Sequence, residues 1–188
     1  MCLEILFNKG GSEASVKVGQ RVAKFLKLLH IIHSRTLKEL DNEGEEIISK
    51  YEFLKNIRSL VDVNKVYNFI SGNSELIPKW FSGRKCLYTI RCLYVHCGKD
   101  DILDKLNDNE GVKKIIDAYI EAINICRLCL TNFIILRIIH EKDRQDLVNI
   151  LDHALIDESS GLNKFIKHYE QYTREFIKYL KGRHHMIL

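Results

Sequence analysis

The sequence predicts an all-α, up-and-down bundle of about five to six helices with short connections. Three observations predict it. The 188 residues hold one proline, Pro78, and ten glycines, so little interrupts a helical hydrogen-bond ladder. Apolar residues recur at steps of three and four along most of the chain, the period of one helix face. The breaks between such stretches are brief: Asn8-Lys9-Gly10-Gly11, Asp41-Asn42-Glu43-Gly44 and Ser71-Gly72-Asn73-Ser74. Brief breaks make successive helices antiparallel neighbours. A composition of 46% hydrophobic and 29% charged residues supplies a core for a single domain over 1–188. Its ends, a lead at 1–11 and a tail at 182–188, are expected to be flexible.

Taken in order, MCLEILF is a short apolar lead that fits a small strand, a helix start or a disordered tail, and that would pack over a hydrophobic edge. The first long helix is expected over about 12–40, with Val18, Val22, Phe25, Leu26, Leu29, Ile32 and Leu37 as its apolar stripe. Lys17, Gln20, Arg21, Lys24, Lys27, Arg35 and Lys38 cover much of the remainder as a solvated basic face. A second helix over about 45–61 turns Ile47, Ile48, Tyr51, Leu54, Ile57 and Leu60 inward, and Asp62 breaks or kinks it before Val66, Tyr67, Phe69 and Ile70. Trp80 and Phe81 form an apolar anchor ahead of a third core helix that starts near Arg84 and stops at Gly98. A short helix is expected over 102–106. The fourth long helix, about 110–140, is apolar on most faces, which places it at the centre of the bundle or at a subunit interface. A fifth follows over about 144–156. The sixth, over about 162–180, turns Phe165, Ile166, Tyr169, Tyr172, Phe176, Ile177 and Leu180 inward. It sets Lys164, Lys167, Glu170, Arg174, Glu175 and Lys178 on its outer face.

Composition bounds the function. A formal net charge of +4, from 29 basic and 25 acidic residues, permits RNA or acidic partners without the dense basic clustering of a duplex-DNA binder. The longest apolar run, 126–139, is interrupted by Arg127, Thr131, Asn132 and Arg137 and falls short of the ~20 residues of a membrane span; no membrane partner is expected. MCLEILFN lacks a basic leader before a long apolar core, so the six cysteines are expected to be reduced thiols in the cytoplasm. The Cys-x-x-Cys at Cys126 and Cys129 reads as two core thiols. His30 and His33, one turn apart, lack a third ligand at a motif spacing. No phosphate-binding loop, dinucleotide glycine fingerprint or Gly-x-Ser-x-Gly is present, and no cofactor or metal is predicted.

One stretch carries chemistry-bearing residues at a suggestive spacing: RKCLYTIRCLYVHCG, at 84–98, where Arg91 precedes His96 by four intervening residues. A histidine exchanges protons near neutral pH, with a ribose 2′-hydroxyl or with a leaving 5′-oxygen. An arginine offers a rigid fork of donors to a phosphate on which charge is building. Five positions along one helix set the two side chains ~140° apart, so a single helix uses them poorly, while two copies across a dimer axis bring both pairs around one phosphate.

An all-helical, up-and-down chain with Arg-x4-His on a core helix resembles the HEPN superfamily, whose members occur in toxin–antitoxin, abortive-infection and CRISPR-associated RNases. The resemblance rests on Arg91-Cys92-Leu93-Tyr94-Val95-His96 and the helical architecture. It implies a metal-independent endoribonuclease whose composite site forms in a homodimer, with Arg91 stabilising the phosphate and His96 in acid–base work. Tyr88, Tyr94 and Lys99 are the accompanying RNA-binding candidates, the tyrosines as stacking surfaces for bases. An antitoxin or another protein is a further expected partner. Two other readings stand beside it. Arg91 can be a surface residue paired with Asp100 or Asp101 while His96 sits at a helix C-terminus, where the dipole favours imidazolium; the chain is then a helical interaction module, docking a partner on its fourth or sixth helix. A third reading has the basic first helix bind nucleic acid.

Overall fold

Alternating three- and four-residue apolar steps become helices over most of what the computed structural model describes: residues 2–9, 14–39, 63–72, 109–153 and 160–184, with Glu46, Ser49, Lys55, Ser74 and 86–88 between them. Six helices and no strand are defined among the described residues, an all-α helical bundle. They are α1 (Cys2–Phe7), α2 (Ala14–Lys38), α3 (Val63–Ile70), α4 (Asn109–Ile135), α5 (Glu141–His153) and α6 (Ser160–His184). The second helix expected over 45–61, apart from Glu46, Ser49 and Lys55, the short helix over 102–106 and most of the third core helix lie outside the described residues. The chain divides into two compact units, one of Met1–Ala23 and Asn64–Arg127, the other of Lys24–Val63 and Leu128–Leu188.

In the first unit the lead is a helix, with Leu3 and Phe7 buried. Val18 and Val22 of α2, Val66, Phe69 and Ile70 of α3, and Ala118 and Ile125 of α4 are also buried there. Arg21, expected on the solvated face, is instead buried. It donates from a guanidinium nitrogen to the Phe7 carbonyl oxygen at 2.6 Å. That carbonyl is among the last of α1, which have no partner within the helix and sit at its negative dipole end, so a buried cation satisfies both needs. Gly19 marks a close approach: a Cβ built there would lie 2.3 Å from Ser71 Oγ and 2.8 Å from Ser71 Cβ.

In the second unit Phe25, Leu26, Leu29 and Ile32 of α2 are buried, as predicted, together with Leu147, Val148 and Leu151 of α5 and Ile166, Tyr169, Ile177 and Leu180 of α6. Phe25 meets Phe133 edge to face, ring centroids 5.2 Å apart, the arrangement that the ring quadrupoles favour. Lys24, like Arg21, is turned inward: its ammonium donates to the Leu151 carbonyl at 2.8 Å, again among the last carbonyls of a helix. Glu141 and Asp143 in the first turn of α5 and His153 in its last suit the dipole at each end.

The fourth long helix ends at Ile135 rather than near 140. The Ile138 N–H bonds the Phe133 carbonyl at 2.8 Å and the Arg137 N–H bonds the Ile134 carbonyl at 3.0 Å. Arg137 stands at φ 56°. This is a Schellman ending, with Phe133 and Ile138 both buried beneath it. No glycine announces it, because Arg137 occupies the left-handed position usually taken by glycine. The arginine has compensations: an ion pair to Glu175 at 2.9 Å and a guanidinium 4.8 Å above the Tyr172 ring. Both are lost in Arg137→Gly and in Arg137→Ala, but only alanine keeps the strain. Urea unfolding should therefore find Arg137→Gly the more stable of the two by about 1 kcal/mol. Equal midpoints would remove the strain at this corner.

Candidate functional site

Arg91, His96, Tyr94 and Lys99 lie outside the described residues. Tyr88 is described: it is helical and 37% exposed, following buried Cys86 and half-buried Leu87. Its side chain is thus accessible at the start of the motif stretch, as a stacking tyrosine would need to be.

The polar side chains that the described residues do bring together lie in the second unit. His33 of α2 is buried, and its Nε2 lies 3.1 Å from the Asn132 side-chain oxygen. The Asn132 amide nitrogen donates to the Leu128 carbonyl at 2.8 Å. That bond fixes the amide orientation and turns Oδ1 toward the ring, so His33 carries its proton on Nε2. Nδ1 is buried with no hydrogen-bond partner. Protonating it would bury an N–H⁺ with no acceptor. Burial accordingly lowers the His33 pKa to about 4, against an opposing pull from Asn132 and with a smaller push from His30. His33 is a neutral, structural imidazole rather than a proton shuttle. Among the described residues no group of His, Cys, Asp and Glu could hold a metal ion.

A second cluster joins α2 to α6. Arg174 grips Glu39 with two parallel bonds of 2.8 Å, from Nε and from a terminal nitrogen. This bidentate clasp holds the Glu39 carboxyl below its ordinary range. Glu170, expected on the outer face of the sixth helix, is buried; Arg35 and Arg174 each stand 3.7 Å from its carboxylate. Two cations make that burial tolerable, since an unpaired carboxylate would be expelled or protonated. Arg21, Lys24 and Arg35, three cations of the supposed basic face, therefore engage the protein itself, which leaves that face less charge for a phosphate backbone than the sequence promised.

The Cys-x-x-Cys is divided by depth. Cys129 is fully buried and Cys126 half-buried. Burial, with the Cys2 thiol alongside, pushes the Cys126 thiol up to about 11. It is a protonated, weakly nucleophilic group. Burial likewise pushes the Tyr169 phenol up to about 12.

The helix read as apolar on most faces is not wrapped by protein on all of them. Ile116, Tyr119, Ile120, Leu130 and Ile134 of α4 are exposed, while Ala118, Ile125, Leu128, Cys129 and Asn132 are buried. Val112–Ile135 is also long and apolar enough, by length and composition, to cross a membrane, with mean hydropathy 1.4. This stretch is longer than the interrupted apolar run at 126–139. The signal lay in composition: 118–135 carries only Glu121 and Arg127 as charged residues.

Compared with family models, with curated proteins and with solved structures, the chain matches none.

Proposed function

We propose that this chain is a metal-independent endoribonuclease of the HEPN type, working as a homodimer. One observation carries the reading: Arg91-x4-His96 in a chain whose described residues are all-α. Neutral His96 takes the proton from a ribose 2′-hydroxyl, and the 2′-oxygen attacks the adjacent phosphorus. The bond from phosphorus to the 5′-oxygen breaks, leaving a 2′,3′-cyclic phosphate and a 5′-hydroxyl. The second subunit's imidazolium protonates the departing oxygen, and Arg91 holds the phosphate as its charge grows. Tyr88, Tyr94 and Lys99 hold the strand.

The test is cleavage of a structured RNA in EDTA. Wild type should cut and leave cyclic-phosphate ends, while Arg91→Ala and His96→Ala should each lower the rate at least about a hundredfold. RNA left intact by wild type, or cut equally by both variants, sinks the reading. A second reading, a non-catalytic interaction module, is favoured by the exposed apolar face of α4; it is what remains if wild type cuts nothing yet self-associates or captures a protein.

A further inference from the structure

We infer that the outer face of α4 is a self-association seam, covered by a second copy of this chain in antiparallel pairing. Ile116, Ile120, Ile123, Arg127, Leu130 and Ile134 follow one another at steps of four, three, four, three and four. At about 100° per residue they fall within roughly 40° of a single line. Alternation of four and three is the 3.5-residue period of a helix that meets another helix lengthwise. The line runs along one uninterrupted helix, opposite the face that Ile125 and Asn132 bury.

The exposed area suits a second copy. Ile116 is 52%, Ile120 50%, Leu130 42% and Ile134 70% exposed, with Tyr119 beside them at 66%. Together they present on the order of 500 Å² of mostly apolar surface, at the upper end of what a lone monomer leaves in one patch. Two such faces cover roughly 1,000 Å², about the threshold of a specific but weak interface.

The charge on the seam sets both the occupant and its direction. Arg127 is exposed within the apolar line. A bilayer core would bury that guanidinium at several kcal/mol, whereas a protein seam lets its methylene stem pack and its head reach the rim. In a parallel pair Arg127 would face its own copy, like charge on like. The spacing is symmetric about Ile125, so an antiparallel pair sets Ile116 against the partner's Ile134, Ile120 against the partner's Leu130 and Arg127 against the partner's Ile123. No like charges then meet.

The inference shares only the second copy with the ribonuclease reading, and the two fail separately. A dimer that cuts no RNA sinks the enzyme and leaves the seam; RNA cut by a dimer assembled through another surface does the reverse. Sedimentation of the full chain without RNA should show a monomer–dimer equilibrium near the micromolar range. Ile120→Lys and Leu130→Glu, both at exposed sites, should each weaken it by about tenfold or more with unchanged circular dichroism melts. Mixing the two variants should restore a heterodimer, because the antiparallel register sets each new charge against the other. A monomeric wild type, variants that dimerise as wild type does, or a mixture that stays monomeric would overturn the seam. So would co-sedimentation of monomeric wild type with phosphatidylcholine–phosphatidylglycerol vesicles that both variants lose, which would assign the face to a lipid surface.

Discussion

Lowering the pH from 7 to 4 should cost this protein roughly 3 kcal/mol through His33 alone. The imidazole is held neutral in the fold, its pKa lowered from 6.5 to about 4 by burial. Between those values the unfolded chain binds a proton that the folded chain refuses, so stability rises with pH across the window and is lost as pH falls through it. At about 1.4 kcal/mol per pH unit, the full window is worth roughly 3 kcal/mol. Urea unfolding of wild type and His33→Gln at several pH values isolates the contribution. The amide can still donate to Asn132 but does not titrate, so its stability should fall less steeply below pH 6.5. Parallel profiles would remove His33 from the account. The partner matters as much as the proton. Asn132→Leu leaves the buried His33 N–H without its acceptor and should cost about 2 kcal/mol at pH 7. The double variant His33→Phe with Asn132→Leu should recover most of that loss, since removing both members of a buried pair leaves nothing unsatisfied.

Gly19→Ala should destabilise the protein by about 1–3 kcal/mol, although alanine is the better helix former by about 1 kcal/mol. The new methyl would lie 2.3 Å from Ser71 Oγ and 2.8 Å from Ser71 Cβ. Ser71 is itself buried and has a short side chain, so rotation of its hydroxyl leaves the Cβ overlap in place and α2 and the turn after α3 must separate. Ser71→Gly removes both overlapping atoms. Gly19→Ala combined with Ser71→Gly should therefore exceed the Gly19→Ala single variant in thermal midpoint. A single variant as stable as wild type would show that the two segments give way freely.

Much of the fold could be read in the sequence because helices declare themselves by local period. Val18, Val22, Phe25 and Ile32 needed no knowledge of their partners to be placed inward. Arg21 and Glu170 did. Each is a charge that would be solvated on its own helix, and each is buried because a group distant in sequence meets it: the Phe7 carbonyl in one case, Arg35 in the other. The Ile135 ending was hidden for a related reason, since the left-handed residue there is an arginine held by Glu175 and Tyr172 on α6. An all-round apolar helix such as α4 carries no mark of which face its own chain will cover. Of the candidate site, Tyr88 is exposed; Arg91 and His96 are a spacing in the sequence, and a spacing on one helix fixes an angle between side chains but not what approaches them from elsewhere.

The tie between Arg21 and Phe7 has a consequence for the first few residues. Six residues are too few to hold a helix in water, where the first turn costs more than it returns. Helix α1 owes its order to the burial of Leu3 and Phe7 and to one guanidinium from α2. Its backbone amides would therefore reach solvent without the longer helices opening, and an extension fused ahead of Cys2 would pull on a helix secured by two apolar side chains and one charged hydrogen bond.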